Sequence, residues 1–200
     1  MDGTILPLME DFYTIQGEGF YRGTAAYFIR LAGCDVGCHW CDVKESWDAS
    51  VHPRVPIEEI AQRALAHSKT IIITGGEPLM YNLQPLTELL KSNGARTHIE
   101  TSGAQPLTGV WDWICLSPKK NKRPLPEVHQ RASELKMIIY NHHDFLFAEE
   151  MSALTQPDCI RYLQPEWSRR ERMVPLIVDY VMENPQWKIS LQMHKYLDIP

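Results

Sequence analysis

The sequence predicts an α/β fold in which the strands of a parallel sheet alternate with crossover helices. Six short runs rich in β-branched and aromatic residues have the length of strands, and apolar stripes with helical spacing lie among them. This alternation favours a parallel sheet, because parallel neighbours need a long crossover connection that is usually a helix. Binding sites of such folds gather at the carboxyl ends of the strands, and we expect the functional residues there.

The six predicted strands are apolar runs between turn signals. In chain order they cover residues 25–32 (AAYFIRLA), 70–74 (TIIIT), 96–101 (RTHIET), 111–117 (WDWICLS), 134–139 (ELKMII) and 159–164 (CIRYLQ). Three apolar stripes predict helices. The stripes consist of Ile57, Ile60, Ala61, Ala64 and Leu65, then of Leu86, Leu89 and Leu90 before Gly94, and then of Met173, Leu176, Ile177, Tyr180 and Val181.

The composition is that of an ordinary globular protein with a slight excess of acidic groups. The 200 residues are 44% hydrophobic and 22% charged, which suits a single domain over residues 1–200. Twenty Lys and Arg against 25 Asp and Glu give a net charge of −5, so direct binding to nucleic acid is not expected. With neither a signal peptide nor a membrane span evident, we expect a cytoplasmic protein with reduced cysteines. Cys115 and Cys159 lie singly within predicted strands and are expected in the core.

Three cysteines follow the first predicted strand in a loop that contains glycine. Cys34, Cys38 and Cys41 have the spacing C-x3-C-x2-C, and three thiolates this close can share one metal centre. An iron–sulfur cluster held by three cysteines keeps one iron open for a small ligand, whereas structural zinc needs a fourth ligand. His39 is a candidate for that ligand, although it lies between two of the cysteines in a tight loop.

Two motifs together resemble the radical S-adenosylmethionine (SAM) superfamily. The cysteine loop has Trp40 before its last cysteine, and TGGEP at 74–78 directly follows the second predicted strand. In the superfamily the first motif holds a 4Fe–4S cluster and the second receives the amino group of the SAM methionine. TGGEP alone is also compatible with a plain turn before a helix, but the two motifs occur here in order and at strand ends.

Longer stretches narrow the resemblance to the 7-carboxy-7-deazaguanine synthase family. The similar stretches are residues 12–34, 98–103, 116–119, 134–139, 162–167 and 190–200, which extend over nearly the whole chain. The most discriminating pieces are QGEG at 16–19 and HKYL at 194–197, because neither belongs to the general SAM machinery.

The resemblance implies a radical enzyme with a small pterin substrate. The family converts 6-carboxy-5,6,7,8-tetrahydropterin into 7-carboxy-7-deazaguanine with loss of ammonia, on the route to tRNA bases such as queuosine. A 5′-deoxyadenosyl radical derived from SAM takes a hydrogen from C6, and ring contraction follows. The implied fold is an incomplete TIM barrel of about six parallel strands with few helices. The implied partners are a flavodoxin- or ferredoxin-type electron donor and a second copy in a homodimer.

The resemblance also assigns residues to the two cofactors. Cys34, Cys38 and Cys41 are expected to hold the 4Fe–4S cluster, with SAM on its open iron. The residues expected to bind SAM are Trp40, Gly75, Gly76, Glu77, Thr101, Ser102, Ser117, Pro118, Lys119, Gln164, Pro165, Glu166 and Trp167. Of these, 75–77 are assigned to the methionine end, 117–119 to the ribose and 164–167 to the adenine.

A second set is assigned to the substrate. It consists of Ile15, Gln16, Gly17, Glu18, Arg30, Thr74, His194 and Pro200. Glu100 is kept with Thr101 and Ser102 as a second-tier contact beside the SAM residues. The Arg30 guanidinium can hold the substrate carboxylate through two parallel hydrogen bonds, although without the resemblance a structural salt bridge is the simpler interpretation. Glu18 can accept from the pterin's amino and ring N–H groups. The resemblance implies that the free carboxylate of Pro200 folds into the site.

One position departs from the family pattern. The family commonly has Cys-Asp-Thr at the third cluster cysteine, where the Thr helps to hold Mg²⁺, and here Val43 follows Asp42. Valine has no side-chain oxygen, and Mg²⁺ requires oxygen ligands. The candidates that remain are Asp42 and the backbone carbonyl of Val43 with water, unless the ion is weak or absent. We therefore expect a reduced dependence on Mg²⁺.

Two functions from other classes share part of the pattern. A glycyl-radical activating enzyme also uses C-x3-C-x2-C but acts on a protein partner, and the QGEG and HKYL pieces argue against it. A structural zinc module would use the thiols without catalysis, but the sequence offers no clean fourth ligand.

Overall fold

The computed structural model describes residues 2–200, so Met1 of the predicted domain lies outside the described residues. Within them, nine strands form one sheet. The strands are β1 (Ile5–Ile15), β2 (Ala25–Leu31), β3 (Arg54–Pro56), β4 (Thr70–Gly75), β5 (Arg96–Thr101), β6 (Trp113–Leu116), β7 (Glu134–Ile139), β8 (Ile160–Pro165) and β9 (Trp187–Ile189). The α-helices are α1 (Ile57–His67), α2 (Gln84–Ser92), α3 (Pro126–Arg131), α4 (Asp144–Ser152), α5 (Arg170–Glu183) and α6 (Met193–Leu197).

The sheet is a parallel core with an antiparallel extension at one edge. Its strand order is β3-β1-β2-β4-β5-β6-β7-β8-β9. β2 and β4 to β9 are parallel neighbours, whereas β1 is antiparallel to both β2 and β3. The sheet does not close, because β3 and β9 remain its two edges. The predicted incomplete TIM barrel with few helices is thereby confirmed.

The strands found beyond the predicted ones are short or partly exposed. All six predicted strands are present, and β1, β3 and β9 are additional. β1 is half-exposed and carries Pro7, Glu10 and Asp11, while β3 and β9 have three residues each, so none is a buried apolar run. The three apolar stripes form α1, α2 and α5. Within residues 2–200, no helix has both the length and the apolar character needed to cross a membrane.

The helices cover one face of the sheet, and the alternation of side chains defines the other. Ile29, Ile99 and Leu135 of neighbouring strands belong to the core and are fully buried, together with Ile60 of α1. Successive side chains of a strand point to opposite faces. Polar residues next to these core positions, such as Lys136, therefore lie on the face that the helices leave open.

Candidate active site

The carboxyl ends of the parallel strands surround a cavity of about 370 Å³. Of the residues assigned to cluster, SAM, Mg²⁺ and substrate, all line this cavity except Pro118, which is buried beside Ser117. The lining comes from strands β1, β2, β4, β5, β7 and β8, from the loops after β1, β2, β4, β5, β6 and β8, and from the C-terminal segment 192–200. The binding role of each residue stays a prediction, but the fold brings the assigned residues to one place.

The three cysteines of the loop after β2 are free thiols at the cavity wall. Cys34, Cys38 and Cys41 are each half-buried, and the N–H of Cys41 donates to the carbonyl of Cys38 at 3.0 Å. Burial raises the pKa of the Cys38 thiol, an effect that the Lys119 ammonium opposes and the other two sulfurs reinforce. The thiols thus lie close enough to influence one another electrostatically.

This donor set fits a 4Fe–4S cluster. Within residues 2–200, no group of three or more His, Cys, Asp or Glu side chains could hold a single metal ion. In a cluster each cysteine binds a different iron, so the thiols stand further apart than the ligands around one ion. Three thiols on one loop therefore suit a cluster with one open iron, whereas a structural zinc site takes four protein ligands.

The TGGEP motif lies directly against the start of the cysteine loop. The N–H of Gly76 donates to the carbonyl of Leu31 at 3.0 Å, and the N–H of Glu77 donates to that of Gly33 at 2.8 Å. A Cβ on Gly76 would lie 2.3 Å from the Gly33 carbonyl oxygen. Only glycine allows the end of β4 to approach the cysteine loop this closely.

The buried carboxylate of Glu77 is held by hydrogen bonds from two strand ends. Its Oε1 accepts from the hydroxyl of Thr101 at 2.6 Å and from the N–H of Leu79 at 3.0 Å. Its Oε2 accepts from the N–H of Ser102 at 2.8 Å and from the Ser102 hydroxyl. These four donors fix the carboxylate at the cavity wall next to the cysteine loop. It can accept from an amino group of a ligand when the Thr101 or Ser102 hydroxyl turns away to free a lone pair.

Lys119 connects the loop after β6 to the cysteine loop. Its Nζ donates to the carbonyl of Ser117 at 2.5 Å and to the Ser117 hydroxyl at 2.7 Å. It also lies 5.6 Å from the centre of the Trp40 ring, within the range of a cation–π contact. Burial lowers the pKa of Lys119. These contacts give the wall a hydroxyl, an ammonium and an indole side by side.

The end of β8 contributes an amide and a second indole. Gln164 is almost fully buried, and its Oε1 accepts from the hydroxyl of Ser190 at 2.7 Å. The Trp167 ring has the Arg170 guanidinium 4.2 Å and the Lys195 ammonium 5.3 Å from its centre. Two cations therefore lie within cation–π range of a ring that also lines the cavity, and an indole at this position can contact a flat ligand.

A polar network lies at the turn after β1. The amide nitrogen of Gln16 donates to Oε1 of Glu100 at 2.8 Å, and the amide oxygen accepts from the N–H of Glu18 at 3.0 Å. The Nζ of Lys136 lies 2.5 Å from Oε2 of Glu18 and 3.2 Å from Oε2 of Glu100. Lys136 lines the cavity but is not among the residues predicted from the sequence. The sequence does indicate that Lys136 faces away from the core, because charged residues at 134 and 136 alternate with apolar ones in ELKMII.

Arg30 fits both interpretations drawn from the sequence. Its Nε donates to Oε1 of Glu10 at 2.6 Å across the β1–β2 pair, and it also lines the cavity next to its register partner Thr74. With Nε engaged, the guanidinium can still present its Nη groups to a carboxylate. Phe12 and Phe28 stack beside it with ring centres 5.4 Å apart. Both phenylalanines line the cavity and are additional to the predicted residues.

The C-terminal segment lies against the QGEG turn. The N–H of Met193 donates to the carbonyl of Gly17 at 3.0 Å, and that of Ile199 donates to the carbonyl of His194 at 3.2 Å. His194 and Pro200 both line the cavity. Burial lowers the pKa of His194, which the nearby Glu18 opposes.

Asp42, the candidate ligand of Mg²⁺, already has partners. Its Oδ2 accepts from the Nζ of Lys195 at 2.8 Å and from the side-chain amide of Gln192 at 3.3 Å. Burial alone would raise the pKa of Asp42, but these two side chains lower it. Val43 adds only an apolar side chain to the cavity. The Lys195 ammonium already pairs with Asp42, which is the candidate carboxylate ligand. These residues therefore do not fit a magnesium site.

Known proteins resemble this chain over almost its whole length. The model of the radical SAM superfamily matches residues 28–115. A 7-carboxy-7-deazaguanine synthase from Flavobacterium psychrophilum is 61% identical over 198 residues, which cover 99% of this chain and 94% of that protein. Another from Synechocystis is 49% identical over 194 residues, which cover 96% and 93%. The crystal structure of QueE from Escherichia coli matches with a TM-score of 0.83 at 32% identity and covers 95% of each chain.

Proposed function

This chain belongs to the 7-carboxy-7-deazaguanine synthase family within the radical SAM superfamily, and from that premise we propose that it converts 6-carboxy-5,6,7,8-tetrahydropterin into 7-carboxy-7-deazaguanine. One ammonia leaves, and substrate and product differ by that molecule alone, so the net reaction needs no external oxidant or reductant. The product serves the route to deazapurine bases of tRNA such as queuosine.

One observation carries the proposal. The turn at 16–19 and the C-terminal residues His194 and Pro200 line the same cavity as the three cysteines. These pieces are specific to the family, whereas the cysteines belong to the whole superfamily. A cavity of about 370 Å³ has the size of small-molecule sites in general, and its acidic and amide side chains suit a heterocycle rich in N–H groups.

The residues near the cysteine loop bind and orient the cofactors. Cys34, Cys38 and Cys41 would hold the cluster, and Glu77 would accept from the amino group of SAM. When bound, cluster and SAM supply the carbon-centred radical chemistry that removes a hydrogen from the substrate. Segments 117–119 and 164–167 take the ribose and the adenine. The protein's contribution is to fix the reacting groups in contact and to exclude water.

The residues around the β1–β2 pair bind the substrate. Arg30 takes the carboxylate through its Nη groups, and Glu18 accepts from the amino and ring N–H groups of the pterin. Gln16 orients the Glu100 carboxylate and holds the backbone of Glu18 through the hydrogen bonds described above. The stacked Phe12 and Phe28 exclude water next to the carboxylate.

The test is an anaerobic assay with the reconstituted protein. Dithionite, SAM and 6-carboxy-5,6,7,8-tetrahydropterin are added, and the products are followed by mass. We expect 7-carboxy-7-deazaguanine and ammonia in equal amounts. Cleavage of SAM to 5′-deoxyadenosine with an intact pterin would contradict the proposed substrate and would favour the activating-enzyme alternative.

A weak dependence on Mg²⁺ is a separate expected result. After treatment with EDTA the enzyme should keep most of its activity, because Lys195 already pairs with Asp42 and Val43 offers no side-chain oxygen. The Val43→Thr variant supplies that oxygen and should respond more strongly to added Mg²⁺. The measurement is a magnesium titration of both proteins, together with Mn²⁺ binding followed by electron paramagnetic resonance. Strong activation of the EDTA-treated parent from a dead baseline would contradict the expectation.

The remaining assignments complete the proposal. Residues 1–200 act as one domain and the protein works as a cytoplasmic homodimer. A flavodoxin- or ferredoxin-type protein supplies the electron that reduces the cluster before SAM is cleaved. Neither nucleic acid nor a membrane is a direct partner. Size-exclusion chromatography with light scattering tests the dimer, and replacing dithionite by reduced flavodoxin or ferredoxin tests the donor.

A further inference from the structure

A lysine ammonium lies between two carboxylates at the polar end of the cavity. The Nζ of Lys136 on β7 is 2.5 Å from Oε2 of Glu18 and 3.2 Å from Oε2 of Glu100. The side chain of Lys136 is only 5% exposed, whereas those of Glu18 and Glu100 are 13% and 23% exposed. The ammonium therefore lies beneath the carboxylates, and the carboxylates keep some surface toward the cavity.

The charge of the two carboxylates depends on this lysine. Burial by itself raises the pKa of Glu18, but the adjacent Lys136 ammonium more than offsets that rise and lowers it. Burial by itself lowers the pKa of Lys136, and the neighbouring Cys115, Glu100 and Glu18 side chains raise it above its ordinary value. Without the cation, two acidic side chains sharing one partly buried site would repel each other.

Other titratable groups face Lys136 from the neighbouring elements. Cys115 of β6 is buried, which raises its pKa well above the ordinary value and keeps the thiol protonated. Burial also raises the pKa of Glu134, which shares β7 with Lys136, and lowers that of His194 in the C-terminal segment. Lys119 is a further cation, but its hydrogen bonds go to Ser117. Lys136 is thus the cation in contact with both carboxylates.

We propose that Lys136 is a positioning residue that holds Glu18 and Glu100 as an ionised pair of acceptors, and so makes the cavity selective for a ligand edge with adjacent N–H donors. The amino and ring N–H groups of a 2-amino-4-oxopyrimidine form such an edge. The inference rests on the proposed function, because it places the pyrimidine edge of the pterin against Glu18. Gln16 contributes by donating to the Glu100 carboxylate and by holding the backbone N–H of Glu18 in the turn.

The first test is the pH dependence of ligand affinity. The reconstituted protein with SAM is titrated anaerobically by calorimetry with 6-carboxypterin, the oxidised and unreactive form of the substrate. We expect the parent to bind equally well between about pH 6 and 8, since Lys136 lowers the pKa of Glu18 and its carboxylate stays ionised. In Lys136→Met the Glu18 carboxylate loses this cation, and its pKa rises. Affinity should then fall at least about tenfold at the acidic end and recover toward the alkaline end, because a protonated carboxyl no longer accepts.

The second test is selectivity. 6-Carboxylumazine carries an oxygen acceptor where 6-carboxypterin carries the amino donor. The parent should therefore prefer the pterin by about a hundredfold or more, as expected of a site built to bond a donor. In Lys136→Met at acidic pH, a protonated carboxyl can donate to that oxygen, and the preference should shrink about tenfold. The matched control is Lys91→Met, which removes a surface ion pair to Asp112 and should behave as the parent in both tests.

A second pair of variants protects the test against a misfolded Lys136→Met. Glu100→Gln and Lys136→Met/Glu100→Gln differ only in the lysine, and the double variant leaves one carboxylate instead of two. We expect Glu100→Gln to bind 6-carboxypterin with an affinity that does not depend on pH. The double variant should lose affinity at acidic pH. Equal pH profiles with and without Lys136, or a uniform loss with unchanged selectivity, would overturn the inference and leave the proposed function standing. If the parent binds neither pteridine, the proposed function itself fails.

Discussion

Replacing Cys38 by alanine is expected to abolish cluster binding and, with it, cleavage of SAM. Two thiols remain at a wall where three line the cavity, and described residues 2–200 offer no other metal-binding group to compensate. The loss of cluster affinity should exceed the roughly 10- to 100-fold loss that follows when an outer-shell partner of a metal site is changed, because here a ligand itself is removed. After anaerobic reconstitution the protein should be colourless and contain little iron or sulfide, with no detectable 5′-deoxyadenosine.

A matched control exists in the same chain. Cys159 is a buried core thiol that does not line the cavity. Cys159→Ala should keep its colour, its iron content and its turnover, and should lower the free energy of unfolding by about 1 kcal/mol through the lost packing of one atom. A Cys38→Ala protein with the full iron content of the parent would refute the assignment of the loop to the cluster.

Replacing Gly17 by alanine is expected to uncouple SAM cleavage from turnover of the pterin. The new Cβ would lie 2.3 Å from Nδ1 and 2.8 Å from the backbone nitrogen of His194. The C-terminal segment would have to move away from the QGEG turn, and the hydrogen bond from Met193 to the Gly17 carbonyl would be lost. A shift of about 1 Å in substrate-positioning groups can reduce turnover about 100-fold. The cysteine loop and Glu77 are not touched, so reduced enzyme should still cleave SAM.

The measurement is the ratio of 7-carboxy-7-deazaguanine to 5′-deoxyadenosine formed. It should fall about 100-fold in Gly17→Ala. Gly94→Ala is the control, because a Cβ there meets nothing within 4 Å, although the positive φ of +76° strains any side chain. That variant should lose about 1 kcal/mol of stability and keep the ratio of the parent. An unchanged ratio in Gly17→Ala would mean that the C-terminal segment does not complete the substrate site.

The parts of the site that could be predicted are continuous in the chain. The three cysteines and the TGGEP motif each lie in one short segment after an apolar strand, so their residue types and spacing carry the information. The six buried strands were predictable for a similar reason, since a buried parallel strand is an almost unbroken apolar run. β1 escaped prediction because it lies in an antiparallel pair and carries Glu10 and Asp11 among its apolar residues.

The parts that could not be predicted are contacts between distant segments. Lys136 and Glu18 are 118 positions apart, and Lys195 and Asp42 are 153 positions apart. The residues next to Lys136 and Lys195 in the sequence do not indicate which carboxylate each lysine will contact. The pairing depends on which strands become neighbours, on their register and on how the C-terminal segment folds back.

Residue types and their spacing were thus enough to predict the class of fold, the three thiols, the TGGEP motif and the family to which the chain is similar. The contacts within the cavity became known only from the folded chain: an ammonium under Glu18 and Glu100, another on Asp42, and a histidine against Gly17. Local spacing governs strands, turns and loop ligands, whereas contacts in a cavity form between distant side chains that the assembled sheet brings within a few ångströms.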